Sequence, residues 1–83
     1  MKYLVVTMRR PEFDPKVIPA HYQFLDDLRD RSLPEEAGPF TDKSGGAYVL
    51  RASSLEEARG LADQDPLARR HCSIVTVHEW DAK

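Results

Sequence analysis

Gly45-Gly46-Ala47-Tyr48-Val49-Leu50-Arg51-Ala52-Ser53-Ser54-Leu55-Glu56-Glu57-Ala58 decides the fold, because a strand and a helix meet in it with both boundaries marked. Ala47 to Ala52 holds aromatic and β-branched residues behind a glycine pair, the composition of a strand leaving a turn. Ser54 and Glu57 then stand three apart, ahead of Leu55, Ala58, Leu61 and Ala62. That is a capping box, which closes the orphan amides at a helix start. The helix should run to Asp65, since a residue before proline is pushed out of the helical region. Pro66 to Arg70 has room for one more turn, and Ser73 to Trp80 reads as a strand.

Upstream, Asp42 to Gly46 reads as a turn, with the paired glycines expected to supply positive φ. Gly38-Pro39-Phe40-Thr41 fits a short edge strand, where proline is tolerated. Ala20 to Arg31 has helical periodicity, with Pro19 suited to the first helical position. Tyr3 to Met8 is an apolar strand closed by Arg9-Arg10-Pro11. The order is β-α-β-β-α-β, the ferredoxin-like split βαβ arrangement of the α+β class. At 83 residues it forms one domain, spanning 1–83.

Two helices cover only one face of such a sheet, yet three strands are apolar on both faces. The open face needs a lid, and the economical lid is a second copy, giving a dimeric α+β barrel. Tyr3, Val5, Tyr48, Leu50, Ile74 and Trp80 are candidates across the two faces. Small size points the same way, because a chain this short buries only about 60% of its unfolded surface.

Charge excludes several partners. Twelve Lys/Arg against fourteen Asp/Glu leave a net charge of −2, without the footprint of a nucleic-acid binder or polybasic membrane protein. No apolar run approaches the roughly 20 residues that span a bilayer, and the N-terminal run is too short for a signal segment. The lone Cys72 makes no intrachain disulfide, so a reducing, cytoplasmic setting is the simpler reading. His78 and Cys72 lack metal-ligand spacing, so no metal or other cofactor is expected.

Counting about 100° per residue places His21 within the stripe formed by Phe24, Leu25 and Leu28. The same count aligns Asp65 with Ala58, Leu61 and Ala62. A lone histidine on an apolar face is more often a satisfied core residue than a functional one. Asp65 before Pro66 also reads as the N-cap of the next turn. The topology, however, starts the first helix and ends the second at the same edge of the sheet. His21 and Asp65 should therefore meet, and Arg9, Arg10, the Thr41–Gly46 turn with Ser44, and His71 reach the same rim.

Pro19-Ala20-His21, Phe24-Leu25, Gly38-Pro39-Phe40, Gly45-Gly46, Ser54 to Arg59, Asp65-Pro66 and Trp80 together resemble the YCII-related (YciI-like) family. These are small dimeric α+β proteins whose fold is similar to that of muconolactone isomerase. The resemblance covers nearly the whole chain and implies a His–Asp active site at His21 and Asp65. One branch eliminates chloride from chlorinated hydroxyquinols. This chain departs from the family at Ile18, at Arg69-Arg70-His71 and at His78-Glu79-Trp80, which bears on the choice of substrate.

The sequence thus leads to a cofactor-independent lyase or isomerase acting on a small cyclic, aromatic or quinol-like molecule. His21 is the expected general acid–base, neutral at a helix N-terminus, and Asp65 its orienting partner. Arg9 is expected to hold an oxyanion, Phe40 to form a pocket wall, and Ser44 and His71 to contact substrate. The rival is a non-catalytic metabolite-binding or accessory module docking on a larger enzyme.

Overall fold

A computed structural model describes all 83 residues. Four strands, β1 (Lys2–Arg9), β2 (Pro34–Pro39), β3 (Gly45–Arg51) and β4 (Ser73–Trp80), form one sheet in the order β2-β3-β1-β4. Every pairing is antiparallel. Helices α1 (Ile18–Asp30), α2 (Leu55–Ala62) and α3 (Pro66–Arg69) complete the chain. This is the ferredoxin-like α+β architecture that the element order implied.

Alternation along the strands decides which side chains the helices cover. Tyr3, Val5, Tyr48 and Leu50 are buried together with Leu25 and Leu28 of α1 and Ala58, Leu61 and Ala62 of α2. The pairing of Tyr3 with Leu50 and Val5 with Tyr48 sets these four on the covered face. Of the six candidates across the two faces, Ile74 and Trp80 are the ones that lie on the open face. They sit across from Met8 and Lys2 respectively, because β4 pairs with β1 in that register.

Boundaries moved where turn chemistry competed with periodicity. The edge strand begins at Pro34 rather than Gly38, and carries a bulge between Pro34 and Ala37. Proline at a strand's first position forfeits no ladder bond, so Pro34 starts a strand instead of breaking one. Glu35 tethers this edge by pairing with Lys2 of β1 at 3.0 Å and with Arg51 of β3. Those hydrogen bonds to Lys2 and Arg51 hold its carboxyl below the usual glutamate range. Helix α2 ends at Ala62 rather than Asp65. Asp65 is extended, at φ −62° and ψ 130°, as its position before Pro66 requires.

The glycine pair serves proximity rather than left-handed backbone. No glycine has positive φ, and Lys43 takes the left-handed position of the turn at φ 64°. A Cβ on Gly45 would lie 1.8 Å from the Thr7 carbonyl oxygen, and one on Gly46 would lie 2.7 Å from that of Gly38. Both strands flanking β3 therefore approach within the space a side chain would fill. Gly60, on α2, has nothing within 4 Å of such a Cβ.

Gly45→Ala should therefore cost at least about 2 kcal/mol in urea unfolding, since neighbouring backbone must move. Gly60→Ala should instead add about 0.5–1 kcal/mol by restricting the unfolded chain. Equal effects at the two positions would contradict the close-approach reading.

Candidate functional site

Asp65 is fully buried and accepts three hydrogen bonds. Its Oδ1 takes the Leu67 amide at 2.9 Å, so it does cap α3. The same oxygen lies 2.9 Å from His21 Nδ1, and Oδ2 accepts the Tyr48 hydroxyl in a longer contact of 3.4 Å. The two readings of Asp65, as helix cap and as partner of His21, are both realised in one carboxylate.

Three elements make this convergence possible. His21 lies in the first turn of α1, which a 3₁₀ turn (Pro15–Val17) capped by Asp14 delivers to the sheet edge. Tyr48 lies on the covered face of β3, with its ring edge-on to Phe24. Asp65 stands in the link between α2 and α3. Its buried charge is compensated by the three donors, as a desolvated carboxylate requires.

The geometry assigns the imidazole tautomer. Asp65 Oδ1 only accepts, so in the neutral imidazole Nδ1 carries the proton and Nε2 keeps its lone pair. Nε2 has no hydrogen-bond partner in the chain and is not sealed from solvent. It is the ring nitrogen left free for a further hydrogen bond.

A cavity of about 80 Å³ adjoins the imidazole. His21, Tyr22 and Tyr48 line it together with Thr7, Ser73 and Arg9. Tyr22 and Tyr48 flank the imidazole, with ring centroids 5.7 and 6.3 Å from it. Thr7 is occupied, donating to the Gly46 carbonyl at 3.2 Å. No three His, Cys, Asp or Glu side chains converge on a point that could hold a metal ion.

Of the residues singled out in the sequence, His21, Asp65 and Arg9 are brought to this end of the sheet. Phe40, Ser44 and His71 do not line the cavity. The Ser44 hydroxyl donates to Asp42 at 2.6 Å, within the turn. Phe40 is in the same turn and half-exposed, and His71 is exposed at a left-handed position of φ 53°. Tyr48 is the member that sequence reasoning missed. The sequence offers a hydroxylated aromatic on β3, two residues beyond Gly46 and on the parity of Leu50, but not the face that this parity takes.

The fold and the site define a class: a small antiparallel α+β domain with a buried His–Asp pair beside a cavity at one end of its sheet. The chain belongs to the YCII-related domain family, whose model matches residues 1–81. It is 43% identical over 81 residues to the uncharacterized protein YjpA of Bacillus subtilis (strain 168), covering 98% of this chain and 95% of that protein. Among solved structures it is similar to 5-chloro-2-hydroxyhydroquinone dehydrochlorinase (TftG) from Burkholderia phenoliruptrix AC1100, in complex with 2,5-dihydroxybenzoquinone. That match has a TM-score of 0.78 and covers 100% of this chain and 96% of the other at 19% identity. It is a likeness of fold.

Burial, followed by the charge and hydrogen bond of Asp65, pushes the Tyr48 hydroxyl far above its ordinary value of 10.0. Folding therefore favours the protonated phenol. Its contribution is complete below about pH 10 and is lost as rising pH ionises the unfolded chain. Tyr48→Phe should flatten the decline in stability above about pH 10, read by urea unfolding at each pH from about pH 9 to about pH 12. At neutral pH it should cost about 0.5–1.5 kcal/mol, the usual worth of one hydrogen bond.

Proposed function

We propose that this protein is a cofactor-independent lyase or isomerase that uses His21 and Asp65 as an acid–base pair on a small cyclic, aromatic or quinol-like substrate. The observation that carries the reading is the unpartnered Nε2 of His21, whose other nitrogen is held by a fully buried carboxylate. Nε2 takes a proton from the substrate, and the imidazolium so formed is stabilised by Asp65 through Nδ1–H. In an elimination, the electron pair released by that proton expels a leaving group from the ring, for a net loss of HX.

Dehydrohalogenation, such as removal of HCl from a chlorinated hydroxyquinol, is the form suggested by the fold neighbour that bears that activity in its name. The tyrosine rings beside His21 suit a planar substrate. The second reading, a metabolite-binding or accessory module, is favoured by one observation. Asp65 also caps α3, so its burial has a structural use independent of chemistry.

The working unit is a homodimer joined through the open face of the sheet. Ile74, Trp80 and Met8 are exposed there at 58%, 44% and 39%, and Leu4, Val6 and Ala47 extend the same apolar surface. No helix is long and apolar enough to cross a membrane. A cytoplasmic setting accords with the free Cys72 thiol.

With a chlorinated hydroxyquinol as substrate, His21→Ala and Asp65→Asn should each lower kcat by roughly 10²–10⁴-fold. Circular dichroism would verify that both variants fold. Turnover unchanged in both would eliminate the acid–base role, while retention of a metabolite at unchanged mass would favour the binding module. For assembly, sedimentation equilibrium should find dimers at micromolar protein, and Trp80→Lys with Ile74→Lys should yield monomers. A wild-type monomer of full thermal stability would exclude the dimer.

A further inference from the structure

Two arginines line the cavity, and their circumstances differ. Arg29 is neutralised by Asp26 at 2.7 Å. Arg9 makes no ion pair with any carboxylate, and none of its guanidinium donors finds a partner in the chain. Arg10, its neighbour in sequence, is already paired with Glu12.

Arg9 is nevertheless held in place. Its guanidinium carbon sits 4.2 Å from the centroid of the Phe13 ring, a cation–π contact. Its amide donates to the Ser44 carbonyl at 2.9 Å, and the Arg10 amide donates to the Cys72 carbonyl at 3.0 Å, so the residues just before β3 and β4 fix the end of β1. Phe13 in turn packs against the small cluster of Val17, Leu67 and Cys72. A guanidinium anchored over a ring keeps its in-plane N–H edge free. That edge matches a carboxylate, which accepts two parallel hydrogen bonds.

We propose that Arg9 is the specificity-determining residue of this cavity and that the substrate class is a small planar ring bearing a carboxylate. The inference rests on the reading of the cavity as a substrate site but not on His21 acting in chemistry. The carboxylate meets the edge of Arg9, and the ring lies beside Tyr22, Tyr48 and the Nε2 lone pair of His21. Arg9 selects the anion, Phe13 preorients Arg9, and Arg29 contributes little because Asp26 occupies it.

The experiment measures binding rather than turnover, with benzoate as the probe and benzamide as its uncharged counterpart. Titrations of the folded protein would be followed by NMR at the Arg9 side-chain Nε–H and the His21 ring. Benzoate should shift both signals with saturation and bind at least about tenfold more tightly than benzamide, as expected when a charge-assisted pair is removed. Arg9→Gln should abolish that preference without changing benzamide affinity, and Arg29→Gln should preserve it. Phe13→Leu should weaken benzoate selectively, since leucine keeps an apolar side chain against Val17, Leu67 and Cys72 but removes the ring over which Arg9 rests. Benzamide binding as tightly as benzoate, a preference that survives Arg9→Gln, or no saturable benzoate binding at this cavity would each overturn the proposal. If benzoate binds as expected while His21→Ala leaves turnover intact, the acid–base reading fails and this one stands.

Discussion

The buried carboxylate of Asp65 is the constraint on which the site end of the molecule depends. A charge removed from water must be surrounded by donors, and here they come from three separate elements. The imidazole comes from α1, the phenol from β3 and an amide from α3. Satisfying that one group therefore fixes the approach of both helical segments to the sheet. In the neutral imidazole it also sets the tautomer, leaving Nε2 as the nitrogen without a partner in the chain.

The opposite requirement operates in the sheet beneath. There the constraint is lack of volume: at Gly45 and Gly46 the flanking strands come too close for any side chain. Close packing at this end draws β1 and β2 onto β3, and Thr7, Gly38 and Gly46 line the cavity there. The site is thus built from an apolar sheet end with few polar groups, most of them already spoken for. Thr7 is occupied by Gly46 and Tyr48 by Asp65, leaving the His21 lone pair and the Arg9 guanidinium as the free strong groups. The chemistry proposed for the protein is built on these two groups.

Family membership and fold likeness carry different weights. The match over residues 1–81 covers the strands, the helices and the link that holds Asp65. The 19% identity to the dehydrochlorinase reaches only the path of the backbone. Chemistry is consequently argued from the site itself, because one fold hosts many reactions.

The sequence by itself determined the element order, the α+β class and the nearness of His21 to Asp65. Each follows from local rules: periodicity, the Ser54 cap, the proline after Asp65, and the antiparallel sense of consecutive elements. The face assignment of Tyr48 was not legible, because a strand apolar on both sides has no parity signal and only its register with β1 breaks the tie. The start of β2 at Pro34 and the role of the glycine pair were likewise hidden, since each depends on a neighbouring strand rather than on the residue's own propensity. Phe40, Ser44 and His71 shared the rim with the site in sequence terms, yet the turn and loop geometry kept them off the cavity wall. Only the tertiary structure decided that Arg9 rests on Phe13 without a counter-ion, because pairing is settled by which charges come within reach in space.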